Sequence, residues 1–316
     1  MASLTRLVAD VGGTNTRLAL FDPVADELQA VSSYENRDYR RFEDIIARWL
    51  QTLAQPAPTT CCIAVAAPPG DDRVTMINMD WSFSCRELAR RFGFTQLGCI
   101  NDFQGNAYAL PHLDQADREQ LHAGHSDAAG KLATMGPGTG LGGATLEVVR
   151  GTPVACACEP GHMGLAPATA LELEIMRLLL PLHGEVHAEL LVSGPGLQRL
   201  YLALAEIRGN SVDQLTPAEI SGRALQGQDE LCVLTLDIFC ALLGSVCGDF
   251  VLASGAYGGL YLAGGIIPRM IPFLRASSFV QRFQVKGAMG DQLAGVPLYV
   301  ITTAQPGLIG ATYAPL

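Results

Sequence analysis

Apolar and polar positions change period along the chain often enough to divide it into short elements. Leu7-Val8-Ala9 is an apolar run, residues 16–21 a second, residues 42–53 carry apolar positions at helical spacing, and residues 62–66 are apolar again. Strands alternating with amphipathic helices predict an α/β fold. Ser84 with Glu87 three residues on forms a capping box before a short helix, and residues 97–101 read as a buried strand ending at Asp102. Residues 111–130 are polar and lack an apolar period, so a domain boundary falls at their start. A second α/β section runs from a strand at 132–135 to near Ile301, with capped helices starting after Thr169 and Thr216; Pro217 strengthens the latter start. In this section a long apolar helix over residues 229–254 leads into a strand at 260–263 and the turn Gly264-Gly265-Ile266.

Composition narrows the partners. With 316 residues, 49% of them hydrophobic, the chain can bury a substantial core, and a net charge of −10 argues against nucleic acid or an anionic membrane as a partner. A small-molecule partner fits better. No apolar stretch of signal-peptide length precedes Asp10, so the expected location is cytoplasmic. The uncharged run over residues 250–267 approaches the length of a membrane span, but Gly255, Gly258, Gly259, Gly264 and Gly265 divide it into helix end, turn, strand and turn. The nine cysteines are an odd number in a chain too large to need stapling, which fits a reducing compartment and buried, thiol-bearing small hydrophobes. Cys156, Cys158 and His162 have the flavour of a zinc site but lack a fourth ligand at a suitable spacing; two cysteines on one strand face is the simpler account.

One unit recurs, a strand, a Gly/Thr-rich turn and a strand: Asp10-Val-Gly-Gly-Thr-Asn15 and Gly136-Pro-Gly-Thr-Gly-Leu-Gly142. Two copies, one per section, suggest two similar domains facing a shared cleft. In the first, Gly12 and Gly13 let the backbone approach an anion while Thr14 and Asn15 add side-chain donors. Asp10 would repel phosphate unless a cation intervened, which points to Mg²⁺ held directly or through water. A plain glycine-rich hairpin explains this turn equally well when it is taken alone. The second turn contains a GxGxxG match at Gly138, Gly140 and Gly143, but the β-branched, alternating residues 144–149 make a strand where a dinucleotide turn would open a helix. Thr139 between glycines suits a hairpin offering amides and one hydroxyl to terminal phosphates.

Taken in order, Asp10-Val-Gly-Gly-Thr-Asn-Thr-Arg17, Ile100-Asn-Asp-Phe103, Gly136 to Gly142, Glu159-Pro-Gly-His162, Ser193-Gly-Pro-Gly196 and Leu262-Ala-Gly-Gly-Ile266 resemble the bacterial glucokinases across nearly the whole chain. The cysteine-rich zinc motif of the ROK sugar kinases is absent, which favours the non-ROK branch. The resemblance implies a two-lobed, actin-like ATPase (ribonuclease-H-like) α/β fold with an interlobe cleft. Its smaller lobe would comprise residues 1–110 and 305–316, and its larger lobe residues 111–304. The implied reaction is ATP-dependent phosphorylation of glucose at the 6-hydroxyl, with Mg²⁺ and in a homodimer. Position by position, it implies Asp102 as general base, with Asn101, Glu159, His162, Glu189 and Asn78 joining Asp102 around the hexose. It places Asp10, Gly12, Gly13, Thr14, Asn15, Gly138, Thr139 and Gly140 at the phosphates and metal, and Gly264 and Gly265 beside the adenosine. His112, His122, His125, His183 and His187 read as ordinary structural histidines.

The sequence also departs from the family. Pro160 replaces a common glycine, Gly164 stands where aspartate is frequent, Pro137 stiffens the second turn, and the final helix is short, leaving its closure of the first lobe open. A kinase of another hexose or amino sugar is one rival reading. A catalytically silent sugar-sensing regulator is another, disfavoured by the nine residues before Asp10, which leave no DNA-binding segment. The paired turns carry a direct expectation: Thr139→Val and Gly138→Val should raise the apparent KM for ATP and leave sugar binding intact, because valine removes the hydroxyl in one and blocks backbone approach in the other. Unchanged ATP kinetics in both folded variants would take this turn out of the nucleotide site.

Overall fold

Near-continuous runs of buried positions shape the first strands, β1 (Arg6–Val11) and β2 (Asn15–Asp22), which pair antiparallel around the first glycine turn. The computed structural model describes residues 5–54, 56–67, 72–76, 79–125 and 130–316. β3 (Glu27–Glu35) extends the meander, and after helix α1 (Phe42–Leu50) strand β4 (Thr60–Val65) returns parallel to β1. β5 (Arg73–Thr75) and β6 (Ser82–Ser84) make a small separate ribbon. Helix α2 (Cys85–Phe92) then leads to β7 (Gln96–Asn101), parallel to β4, and α3 (Asp102–Ala109) follows at once. The sheet order is β3-β2-β1-β4-β7. Its core gathers Leu7, Leu20, Phe42, Ile46, Trp49 and Ile63, all essentially inaccessible to water.

The next sheet follows the same plan. β8 (Arg118–His122) is an edge strand; β9 (Leu132–Pro137), β10 (Leu141–Val149) and β11 (Thr152–Cys158) form the meander. Helices α4 (Ala170–His183), α5 (Ala188–Leu191), α6 (Gly194–Ile207), α7 (Pro217–Leu225) and α8 (Glu230–Ser254) come next. β12 (Gly259–Leu262) lies parallel to β9, then α9 (Ile271–Ala276), α10 (Phe279–Gln284) and α11 (Gly290–Ala294) lead to β13 (Leu298–Ile301), parallel to β12. The order β11-β10-β9-β12-β13-β8 repeats the first five positions of the other sheet and adds β8 antiparallel at the edge. Contacts divide the chain into two units, Met1–Asp114 with Pro153–Ala157 and Thr303–Leu316, and Gln115–Thr152 with Cys158–Thr302.

α8 spans 25 residues and is, among the described residues, the one helix long and apolar enough to cross a membrane, yet 83% of its apolar window is buried. It is the core helix of the second unit. Its end at Gly255, with φ 68°, stops the helix before β12 and so divides the uncharged run.

Three features go beyond the sequence reading. β3 and β8 are strands although their sequences, ELQAVSSYE and REQLH, show no apolar run; both lie at a sheet edge, where one neighbour and little burial suffice. The short final helix, α12 (Pro306–Tyr313), packs on α3 and β1, and the Arg6 guanidinium donates to the carbonyls of Thr312 and Ala314 at 2.8 and 2.9 Å. The cysteines are not uniformly inert hydrophobes. Cys61, Cys62, Cys232, Cys240 and Cys247 are buried, but Cys85 and Cys99 are joined as a disulfide between α2 and β7.

α3 and α12 touch through backbone. A Cβ added at Gly310 would land on the Gly105 carbonyl oxygen. Gly310→Ala is therefore expected to force the helices apart and cost about 1–3 kcal/mol. Gly222→Ala, in α7 with open space around the added methyl, should be neutral or gain up to about 1 kcal/mol from helix propensity. Equal melting temperatures for the two variants would refute the close-packing account.

Candidate active site

Strand register puts two carboxylates at one edge of the first sheet. Asp10 pairs with Ala64 and Ala64 with Ile100, so Asp10 and Asp102 both stand at the carboxyl ends of parallel strands, where ligands of open α/β sheets bind. Arg17 donates to Asp10 Oδ2 at 3.3 Å. Burial nevertheless raises the Asp10 pKa, with the Arg17 charge and hydrogen bond only partly opposing it. Asp102 is pushed up to about 6, chiefly by burial; the Phe103 N–H bonded to its Oδ1 at 3.0 Å lowers it, and the charge of Asp10 raises it.

Local hydrogen bonds explain how the chain turns at Asp102. Asn101 caps α3: its Oδ1 accepts from Phe103 N at 2.9 Å, and Gln104 Oε1 accepts from Asn101 N at 3.0 Å, a full capping box. Asn101 Nδ2 also donates to the Ala67 carbonyl at 3.1 Å, so both polar atoms of this side chain already serve the backbone. Asn78 lies outside the described residues. In the first turn Gly12 N donates to Asn15 O at 3.0 Å, leaving Gly13 and Thr14 exposed. The turn rests on Asn36, a residue the sequence reading missed. Its buried side chain donates to Gly12 O at 2.8 Å and accepts from Thr16 Oγ1 at 2.7 Å, yet it sits in a polar stretch with no motif to mark it.

The second unit assembles the other candidates. The 136–140 turn closes through Gly138 N to Gly140 O at 2.7 Å, with Thr139 exposed and open space beside Gly138. Its base is pressed against the 263–264 turn. A Cβ at Gly136 would strike the Ala263 carbonyl, and Gly264, at φ 92°, sits where a Cβ would meet Pro137 O at 2.7 Å. Gly265 faces open space. Glu159 and His162 flank one short helical turn and are both exposed; the His162 ring lies 5.3 Å from that of His187. His187, read from sequence as an ordinary histidine, thus belongs to this cluster; among the described residues its buried Nδ1 has no hydrogen-bond partner, the Glu185 carboxylate lying 3.7 Å away. Glu189 accepts from Leu141 N at 2.8 Å. Pro160 is buried in van der Waals range of Gly143, filling space beside the strand that leaves the turn. No group of three or more His, Cys, Asp or Glu among the described residues is arranged for a metal.

Comparison with known proteins decides the family: the glucokinase family profile matches residues 7–315. The chain belongs to the glucokinase family. A glucokinase of Saccharophagus degradans is 39% identical over 308 residues, covering 96% of each chain. The crystal structure of a glucokinase from an Antarctic psychrotroph matches with a TM-score of 0.90 at 39% identity, covering 98% of both chains. A ROK-family glucokinase from Streptomyces griseus, solved in complex with glucose and AMPPNP, shares the fold at a TM-score of 0.64 and 19% identity. The repeated sheet order described above is accordingly that of the actin-like ATPases.

For this glucokinase-family member the raised pKa of Asp102 has a consequence for stability. An unfolded aspartate loses its proton near pH ~3.9, whereas folded Asp102 holds it to about 6. Folding therefore takes up a proton within that window, and stability falls as pH rises through it. Asp102→Asn cannot ionise and escapes the loss. Its stability relative to the parent should increase from pH 4 to pH 7 by about 1–3 kcal/mol, a figure allowing for partial solvent screening. A difference independent of pH in denaturant titrations would show that Asp102 ionises without strain.

Proposed function

We propose that Asp102 is the general base of glucose phosphorylation, taking the proton of the 6-hydroxyl as that oxygen bonds to the γ-phosphorus of ATP. Family membership makes the chain an enzyme that phosphorylates glucose with ATP. The position phosphorylated and the residue roles are our reading. The observation that carries it is the pair of carboxylates at the strand ends, one of them with its pKa lifted to about 6. A base poised near the working pH is ionised enough to act and basic enough to accept a proton. The hydroxyl becomes strongly acidic as its bond to phosphorus forms, so no covalent enzyme intermediate is needed.

Asp10 suits a different task. Mg²⁺ keeps several waters and takes only one or two protein carboxylates together with phosphate oxygens, and a pair of acids destabilised by burial and mutual repulsion fits that demand. When bound, the ion would neutralise charge on the β- and γ-phosphates. Asp10 would hold it directly or through water, while Gly12, Gly13, Thr14 and Asn15 on one turn, and Gly138, Thr139 and Gly140 on the other, would offer donors to the phosphates. Glu159, His162 and Glu189 would bind the hexose ring; carboxylates and imidazole match hydroxyls that both donate and accept. Asn101 would reach the sugar only by sharing its capping oxygen or amide. Gly264 and Gly265 would let adenosine lie close. ATP as substrate is consistent with a cytoplasmic location, and we take the working form to be a homodimer.

Asp102→Asn is expected to bind glucose within a few-fold of the parent and to lose about 10²–10⁴ in kcat, with the parent's kcat/KM falling below pH ~6. Calorimetry with glucose and a coupled ADP assay across a sugar panel measure both. Near-parental kcat would end the case for Asp102, and a preference for another hexose would move the substrate.

A further inference from the structure

Resting on the reading above, we propose that Glu189 is a positioning residue that couples hexose binding to the second phosphate turn, one carboxylate serving both. Its Oε2 accepts from Leu141 N at 2.8 Å, immediately after the turn. Gly140 and Gly161 make this possible: a Cβ on Gly140 would fall on the Glu189 carboxylate, and one on Gly161 would meet Leu141 O at 2.6 Å and Glu189 Oε2 at 3.1 Å. The phosphate turn, the Glu159–His162 loop and α5 therefore converge on a single carboxylate. Among the described residues Oε1 accepts no hydrogen bond, so it remains available to a sugar hydroxyl.

The mount behind Glu189 is fixed to the same turn. Ser193 Oγ donates to Glu189 O at 2.8 Å and accepts from Gly196 N at 3.0 Å, which caps α6. Gly194 N donates to Gly138 O at 2.8 Å. Residues 189–194 thus hold the turn at both ends, through Gly138 O and Leu141 N. A hydroxyl donating to Oε1 orients the carboxylate, and with it the Leu141 amide that sets the exit of the turn. Sugar occupancy should then preorganise the turn for a nucleotide's terminal phosphates, and by linkage the nucleotide should tighten sugar binding by the same factor.

Two substitutions separate this role from plain sugar contact or plain structure. Glu189→Gln can keep an oxygen on Leu141 N but turns an amide donor toward the sugar; Gly140→Ala leaves Glu189 in place and pushes its carboxylate off the Leu141 amide. The measurement is the dissociation constant of AMPPNP by calorimetry, with and without saturating glucose. The parent is expected to bind AMPPNP several-fold more tightly with glucose, within the roughly 5–150-fold usual for linked sites. In both variants that factor, a ratio within each variant and so independent of any change in its sugar-free AMPPNP affinity, should fall toward one, with the melting temperature of Glu189→Gln little changed. A coupling factor equal to the parent's in the two folded variants overturns the proposal and leaves Glu189 a simple sugar ligand. A parent with no coupling overturns it as well, whereas a parent that binds neither ligand removes the functional reading itself.

Discussion

Backbone lying directly against backbone is the constraint on which the rest of the structure depends. At Gly136 the Ala263 carbonyl occupies the place of a side chain, while Ala263 N donates to Met135 O at 2.8 Å. β9 and β12 can approach in this way only if residue 136 has no Cβ, and both turns at their carboxyl ends inherit their position from that approach. The first unit uses the same device between α3 and α12 at Gly105 and Gly310. There the close helix packing brings Gly307 against Asp10, whose carboxylate lies 2.9 Å from where a Cβ would stand.

Close packing also sets the electrostatics. With α12 laid over it, Asp10 has little water to solvate its charge, and its salt bridge to Arg17 does not fully compensate. The strained charge on Asp10 then adds to the burial of Asp102. A carboxylate in a drier site meets a developing charge or a proton with greater effect than one in bulk water. The helix that a stability argument would count as simple packing thus contributes, through Asp10, to the raised pKa of Asp102.

The sequence made the recurring strand-turn-strand unit visible because its glycines cluster where apolar runs stop, as at Asp10 to Asn15 and Gly136 to Gly142. Helix starts were legible where a side chain both closes the backbone and belongs to a short code: Thr216 with Glu219 forms the full box, while Glu172, three residues after Thr169, instead accepts from Ala168 N at 2.7 Å and pairs with Arg282. What escaped has a common cause. β8, Asn36 and the Cys85–Cys99 disulfide depend on partners outside their own stretch of sequence, β3 pairs with its neighbour β2 but is an exposed edge strand, and none carries a local period that announces it. Asn101 shows a further limit, since a motif gives a residue's identity but not how many of its hydrogen bonds the backbone has already taken.

The same strand order in both units carries opposite electrostatic equipment. The first unit ends its parallel strands in acids, Asp10 and Asp102, which on the proposed reading would hold a cation or accept a proton and which repel a bare phosphate. The second places no carboxylate in its turn; residues 136–140 present the exposed Thr139 hydroxyl, and of the acids beside it Glu189 has an oxygen already bonded to Leu141 N while Glu159 stands exposed on the neighbouring loop. Neutral donors can receive a polyanion without a counterion, while acids cannot. Phosphoryl transfer needs both environments, a place for negative charge to rest and a base to drive the attacking oxygen. A duplicated scaffold lets each be tuned by its own packing, so that lifting the pKa of Asp102 requires no change in the turn at residues 136–140.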